Sequence, residues 1–304
     1  MIIISPRFTV ALSCIIMIGI QPVMGEGLSS LSPNQQYGRA VELSRAGHWA
    51  EAQHILTRLC SQPDATAPMY TALGRCYVKL WDVTPNGLER AEAMFRKAIS
   101  LDKTYSPAYA RMAEIANIKA KYNEALDWAN KALSMPNPSS EGLRERMVAY
   151  SNLHKDKEAL QDIKAYIATG HHDYKDLLNK ANIEENLGRY EDAIKTFKET
   201  LKNYYRDSLV LRMAHCQEKV GRPQDAIASL TDLISKNARD EEAYQHRARI
   251  YVKIKAFDKA IADYTEALDI LPNSSLYRER AAVYKAIGKL DLAKRDLAHA
   301  ERDY

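Results

Sequence analysis

A helix-sized pattern that returns every 33 or 34 residues constrains this chain more than any other feature. Four segments align without a gap: GHWAEAQHILTRL from Gly47, GRYEDAIKTFKET from Gly188, GRPQDAIASLTDL from Gly221 and GKLDLAKRDLAHA from Gly288. Each has Gly, Ala five residues on, a large apolar residue four further, and an apolar or small one three beyond that. KAFDKAIADYTEA from Lys255 and AKYNEALDWANKA from Ala120 fit with the Gly replaced. That spacing buries one face of a helix. Upstream of each lies a second helical pattern, as in AYQHRARIYVKI and LYRERAAVYKAI. Units of two helices begin near Pro33, Ala67, Ser106, Ser140, Tyr174, Asp207, Glu241 and Ser274, with one spacing of 39 and the rest 33 or 34. Two helices cannot bury their own apolar faces, so the period predicts an all-α stack of units.

Within a unit the recurring places resemble the tetratricopeptide repeat: a small residue eighth, Tyr eleventh, Ala twentieth, an aromatic near the twenty-fourth, Ala twenty-seventh and Pro near the end. The seventh unit carries most of this in Tyr244, Ala248, Tyr251, Phe257, Ala260, Tyr264, Ala267 and Pro272. The first and fourth are degenerate; the fourth has Met147 eighth and Tyr166 twenty-seventh. The resemblance implies a right-handed superhelical solenoid of eight helix-turn-helix repeats over residues 33–304, after a short segment 26–32. Independently of the family, Ala113, Ala181, Ala214, Ala248 and Ala281, with Ala125, Ala193, Ala226, Ala260 and Ala293, are small enough to let paired helices approach closely. Lys294 and Glu301 replace the apolar residues that face a following unit, and Glu42 replaces the apolar tenth residue in the first unit, so the sequence reads as a self-capped array. The 39-residue spacing comes from WDVTPNGLER, an insertion at the turn of the second unit, where Thr84 can cap a helix starting at Pro85 and Trp81 can cover the open end of the helix pair.

The N-terminus follows another pattern. Arg7 precedes FTVALSCIIMIGI, then Pro22 and Val23-Met24-Gly25, the charged start, apolar middle and small-residue end of a signal peptide. The run is short against the ~20 residues of a membrane span. Residues 1–25 are expected to be removed and the chain exported, to the periplasm or the medium if the source is bacterial. The alternative is an uncleaved anchor formed by residues 1–25, which alone would bring a membrane into play.

No phosphate loop, dinucleotide fingerprint or nucleophile elbow occurs, and the repeats leave no room for a catalytic domain. No cofactor or metal site is expected, and the HHDY from His171 reads as a solvated turn. A net charge of +4 over 304 residues, with no basic arm, argues against nucleic acid. An enzyme is the least supported class. Beyond the leader the cysteines are Cys60, Cys76 and Cys216, an odd number in no zinc-site spacing. In the repeat frame Cys60, twenty-eighth in its unit, faces Cys76, tenth in the next. The two could form a disulfide in an oxidising compartment, while the alternative is small buried hydrophobes.

The family's first helices line a concave groove, which implies that the second, fifth, sixth, ninth, twelfth and thirteenth places meet ligand. These hold the cations Arg75, Lys79, Arg111, Arg144, Lys175, Arg212, Lys219, Arg249, Lys253, Arg278 and Lys285 against Glu114, Glu141, Glu145, Glu185, Glu218, Glu242 and Glu279. They also hold Asn117, Asn152, Asn179, Asn182, Asn186, His215 and His246. Asn can donate and accept toward an extended backbone; the alternative is that these are solvated helix positions. The expectation is a non-catalytic scaffold that binds a protein segment in the groove, with the positive excess favouring an acidic partner. An accessory subunit of an envelope or secretion complex, docked by its convex face, is the alternative. Some relatives grip a C-terminal carboxylate with residues at such places; Asn182 matches, but Leu178, Arg212, Glu242 and His246 depart, so that specificity is not expected.

Overall fold

The computed structural model describes residues 30–301; residues 1–25, expected from the sequence to be a signal peptide, lie outside them. Among the described residues every regular element is a helix, and they fall into two compact units that divide after Leu101. The first unit holds α1 (Pro33–Arg45), α2 (Trp49–Cys60), α3 (Ala67–Lys79) and α4 (Gly87–Leu101). The second holds α5 (Ser106–Ile118), α6 (Tyr122–Leu133), α7 (Glu141–Asn152), α8 (Asp156–Ala168), α9 (Tyr174–Asn186), α10 (Tyr190–Asn203), α11 (Asp207–Lys219), α12 (Pro223–Lys236), α13 (Glu241–Lys253), α14 (Phe257–Ile270), α15 (Ser274–Ala286) and α16 (Leu290–Ala300). Odd-numbered helices are the first of each pair and even-numbered the second. Within each unit a helix packs on the one before it and the one after it.

Small residues set that packing. The eighth-place alanines Ala113, Ala181, Ala214, Ala248 and Ala281 and the twentieth-place alanines Ala125, Ala193, Ala226, Ala260 and Ala293 are all buried. In the first unit Gly74 takes the eighth place and meets the ring of the fully buried Phe95. Leu160, Ile194, Ile234 and Leu268 fill the space between successive pairs, whereas Lys294, Glu301 and Glu42 are exposed. Each loss of exposed apolar area contributes about 25 cal/mol per Å², so the stack is held by burial between neighbours rather than by any long-range closure.

The turns inside the pairs share one backbone solution. Gly47, Gly188, Gly221 and Gly288 have φ of 85, 67, 77 and 77°, and the residues that replace Gly, namely Ala120, His154 and Lys255, adopt the same left-handed conformation at 55, 55 and 61°. The next amide then bonds the carbonyl five residues back, as Ala256 does to Tyr251 and Arg189 to Glu184. This closes the helix end by satisfying its orphan carbonyls. The geometry is therefore imposed by helix pairing, and the non-glycine residues accept its steric cost.

The insertion departs from its expected form. The helix begins at Gly87, not Pro85, because Asn86 sits at φ 55° and breaks helical continuity. The Thr84 carbonyl, not its side chain, accepts the Gly87 amide. A Cβ on Gly87 would lie 2.7 Å from the Trp81 Cα, so glycine lets the insertion's backbone lie against α4. Trp81 itself remains 54% exposed.

In the structure Cys60, Cys76 and Cys216 are free thiols. Cys76 lies in the first unit's core, and burial pushes its thiol up to about 11 and that of Cys60 to about 12. Thiols held that far above neutrality stay protonated and react slowly.

Candidate functional site

In the first unit, Arg75 and Lys79 both stand exposed on α3. The remaining candidates belong to the second unit, whose first helices lie side by side and exchange polar contacts from one repeat to the next. These contacts divide the face into two stretches.

Across α5, α7 and α9 the carboxylates outnumber the guanidiniums that pair with them. Arg111 bonds Glu114 at 2.9 Å and approaches Glu141 at 3.6 Å; Arg144 reaches Glu145 at 3.2 Å and lies 3.9 Å from both Glu141 and Asp176. Asn117 donates to the carbonyl and to Oε2 of Glu145 at 2.9 and 3.0 Å. Four carboxylates thus share two guanidiniums, and the side chains of Glu145 and Asp176 are 5% and 3% exposed. Burial, then the neighbouring Glu114, pushes Glu145 up to about 7 against the pull of Arg144. Burial, then Asp173, pushes Asp176 up to about 6. Around Arg111 burial works against the charge, but Glu114 and Glu141 outweigh it and hold the guanidinium charged.

A carboxyl whose pKa is raised by folding binds its proton more tightly in the native state, so its contribution is complete below the unfolded value of about 4.3 and is lost as pH climbs through about 7. Glu145→Gln keeps an acceptor for Asn117 and removes the buried charge. The variant should gain about 1 kcal/mol over the native chain at pH 8 and nothing at pH 4, read from urea unfolding midpoints at both pH values. An unchanged difference across that range would show that Glu145 ionises freely.

Across α11, α13 and α15 the balance reverses. Arg212 pairs with Glu185 and Asn182, Lys253 with Glu218, and Arg249 with Glu279 at 2.7 and 2.8 Å. Glu279 also accepts from Gln245, Tyr264 and Ser275. Burial alone would raise its carboxyl, but Arg249 and these donors hold it below the usual value. His246 lies 3.9 Å from Glu242, and burial lowers its imidazole below its ordinary value. His215, Lys219, Arg278 and Lys285 are exposed.

The asparagines do not act alike. Asn152 bonds its own helix at Val148, Asn186 reaches Asp156 at 3.5 Å, and Asn182 serves Arg212. Asn179 is half-buried and Lys175 exposed. The sequence reading treated these places as open to ligand; the structure commits many of them to the neighbouring repeat. It missed Asp176, in the third place, because a helix-face pattern shows which way a residue points and not what the next helix presents, and it passed over Gln245 although that residue stands in the fifth place.

On the opposite edge of these helices runs a second set that the sequence reading did not single out. Arg146–Asp162, Arg247–Asp263 and Arg280–Asp296 are bidentate pairs sixteen residues apart, each bond 2.7 or 2.8 Å. Each joins the two helices of a pair, and a third guanidinium bond reaches the preceding second helix at Asn130, Thr231 or Thr265. The recurring Arg and Asp at that spacing were visible in the sequence.

Among the described residues no three His, Cys, Asp or Glu side chains are placed to hold a metal ion, and no helix is long and apolar enough to cross a membrane.

Two family models, both described as tetratricopeptide repeat, match residues 177–205 and 211–275. No curated protein matches the chain. Among solved structures, the C-terminal part of a TPR repeat-containing protein from Cytophaga hutchinsonii is similar over 75% of this chain and 95% of its own, with a TM-score of 0.60 and 15% identity. YrrB, described as a TPR protein with an unusual peptide-binding site, is similar over 60% of this chain and 94% of its own, with a TM-score of 0.53 and 17% identity. At such identities the likeness concerns the fold.

Proposed function

The chain is a tetratricopeptide-repeat protein, and on that premise we propose that it is a non-catalytic scaffold which holds a protein segment against the first helices of its second unit. The observation that carries this reading is the run of first helices from α5 to α15, laid side by side and cross-linked by their own polar contacts, with His215, Lys219, Arg278 and Lys285 exposed along it. Such a surface is preorganised, so a partner meets side chains whose ordering cost is already met within the protein. The peptide-binding description of YrrB supports the same kind of partner. The N-terminal sequence supports export, with the mature chain beginning at Glu26.

A photo-cross-linking amino acid placed at His215 on the first-helix face, and separately at Lys198 on α10, tests the assignment in cells that make the protein. Capture of a discrete protein from His215, on a chain whose N-terminal sequence starts at Glu26, is the expected result. Capture from Lys198 alone would instead favour an accessory subunit docked through its second helices.

A further inference from the structure

Accepting that reading, we infer that the bound segment is acidic and is read by α11, α13 and α15 alone, through one lysine per repeat. Two observations divide the face. Along α5 and α7 the guanidiniums of Arg111 and Arg144 are 12% and 32% exposed and are already shared among more carboxylates than they can neutralise. Along α11 to α15 the charge is left over. Lys219 and Lys285 are exposed and make no ion pair or hydrogen bond within the described residues, and Lys253 is 64% exposed even while paired with Glu218.

The three lysines share a structural address, the last turn of α11, α13 and α15. Packed helices stand on the order of 10 Å apart, and an extended chain advances about 3.3 Å per residue, so one repeat matches three residues of ligand. An extended segment with a carboxylate at every third position would therefore meet Lys219, Lys253 and Lys285 in turn. The same segment moved along to α5–α9 would meet the surplus of carboxylates there and be repelled. Charge thus sets where along the face a ligand lies.

The test uses the full mature chain and a fluorescein-labelled peptide of nine residues with Glu at every third position and Ser elsewhere, followed by fluorescence anisotropy in 50 mM salt. A peptide with its three Glu contiguous and one with Gln for Glu are the comparisons. Lys219→Ala/Lys253→Ala/Lys285→Ala should weaken binding of the spaced peptide by about tenfold or more. Lys157→Ala/Lys198→Ala/Lys202→Ala, which removes the same charge from exposed positions on second helices, should change it less than about twofold. Unchanged circular-dichroism melting of both triple variants establishes that the fold is intact. Equal losses from the two triple variants, equal binding of spaced and contiguous peptides, or no binding of the spaced peptide overturns the inference. If His215 still captures a partner in those cases, the scaffold reading stands and only the acidic register falls; if it captures none, the scaffold reading itself fails.

Discussion

Arg247→Met should destabilise the second unit by about 3–5 kcal/mol. Arg247 closes both oxygens of Asp263 at 2.8 Å, and the carboxylate is 7% exposed. Removing the guanidinium leaves a buried carboxylate without its bidentate partner, and the bond to Thr231 that ties α13 to α12 is lost as well. The pair itself need not be a net source of stability, since two charges must be desolvated to form it. The chain contains its own comparison: in the sixth repeat the same two places hold Met213 and Ser229, and Ser229 donates to Gln217 instead. Arg247→Met/Asp263→Ser should therefore recover most of the loss, to within about 1 kcal/mol of the native chain. Urea unfolding of the native, single and double variants measures this directly. A double variant as unstable as the single one would show that the guanidinium matters through its packing over Tyr244 rather than through the charge it covers.

That comparison also shows which parts of the structure the sequence carried on its surface. The pairing of helices was legible because it depends on the spacing of apolar and small residues along one chain, and Ala181 or Ala193 reports its own burial by being alanine. The left-handed turn was legible at Gly188, yet the positive φ of His154 and Lys255 was not, because pairing can force any residue into that conformation. The charged face was legible only as a count. Arg111 and Arg278 occupy neighbouring places in the repeat frame; one is closed in by Glu114 and Glu141 while the other is exposed. Whether a cation is available depends on the adjacent repeat, roughly thirty residues away in sequence, as the Arg249–Glu279 pair illustrates.

Gly74→Ala is the replacement for which the repeat frame and the structure give opposite answers. By pattern it should help: alanine fills the eighth place in the third and the fifth to eighth repeats, and glycine inside a helix costs about 1 kcal/mol relative to alanine. In the structure a Cβ on Gly74 would lie 2.4 Å from Cε1 of Phe95 and 2.8 Å from Cδ1. Neither residue can give way easily, since Phe95 is 0% exposed and stacked within the helix pair. Ala181 and Phe197 hold the corresponding places in the fifth repeat, both fully buried, so the clash is a matter of how closely α3 and α4 approach and not of residue type. Overpacking of this kind costs about 1–3 kcal/mol, which outweighs the gain in helix propensity. The variant should lower the unfolding midpoint of the first unit, and adding Phe95→Leu, which costs about 1–2 kcal/mol alone, should cost less than that in the Gly74→Ala background. A double-mutant cycle reads the difference as a coupling of about 1 kcal/mol or more between the two sites. Neutral or improved stability of Gly74→Ala would mean that α3 and α4 can separate at little cost, and that Gly74 serves only as one more small residue in the series.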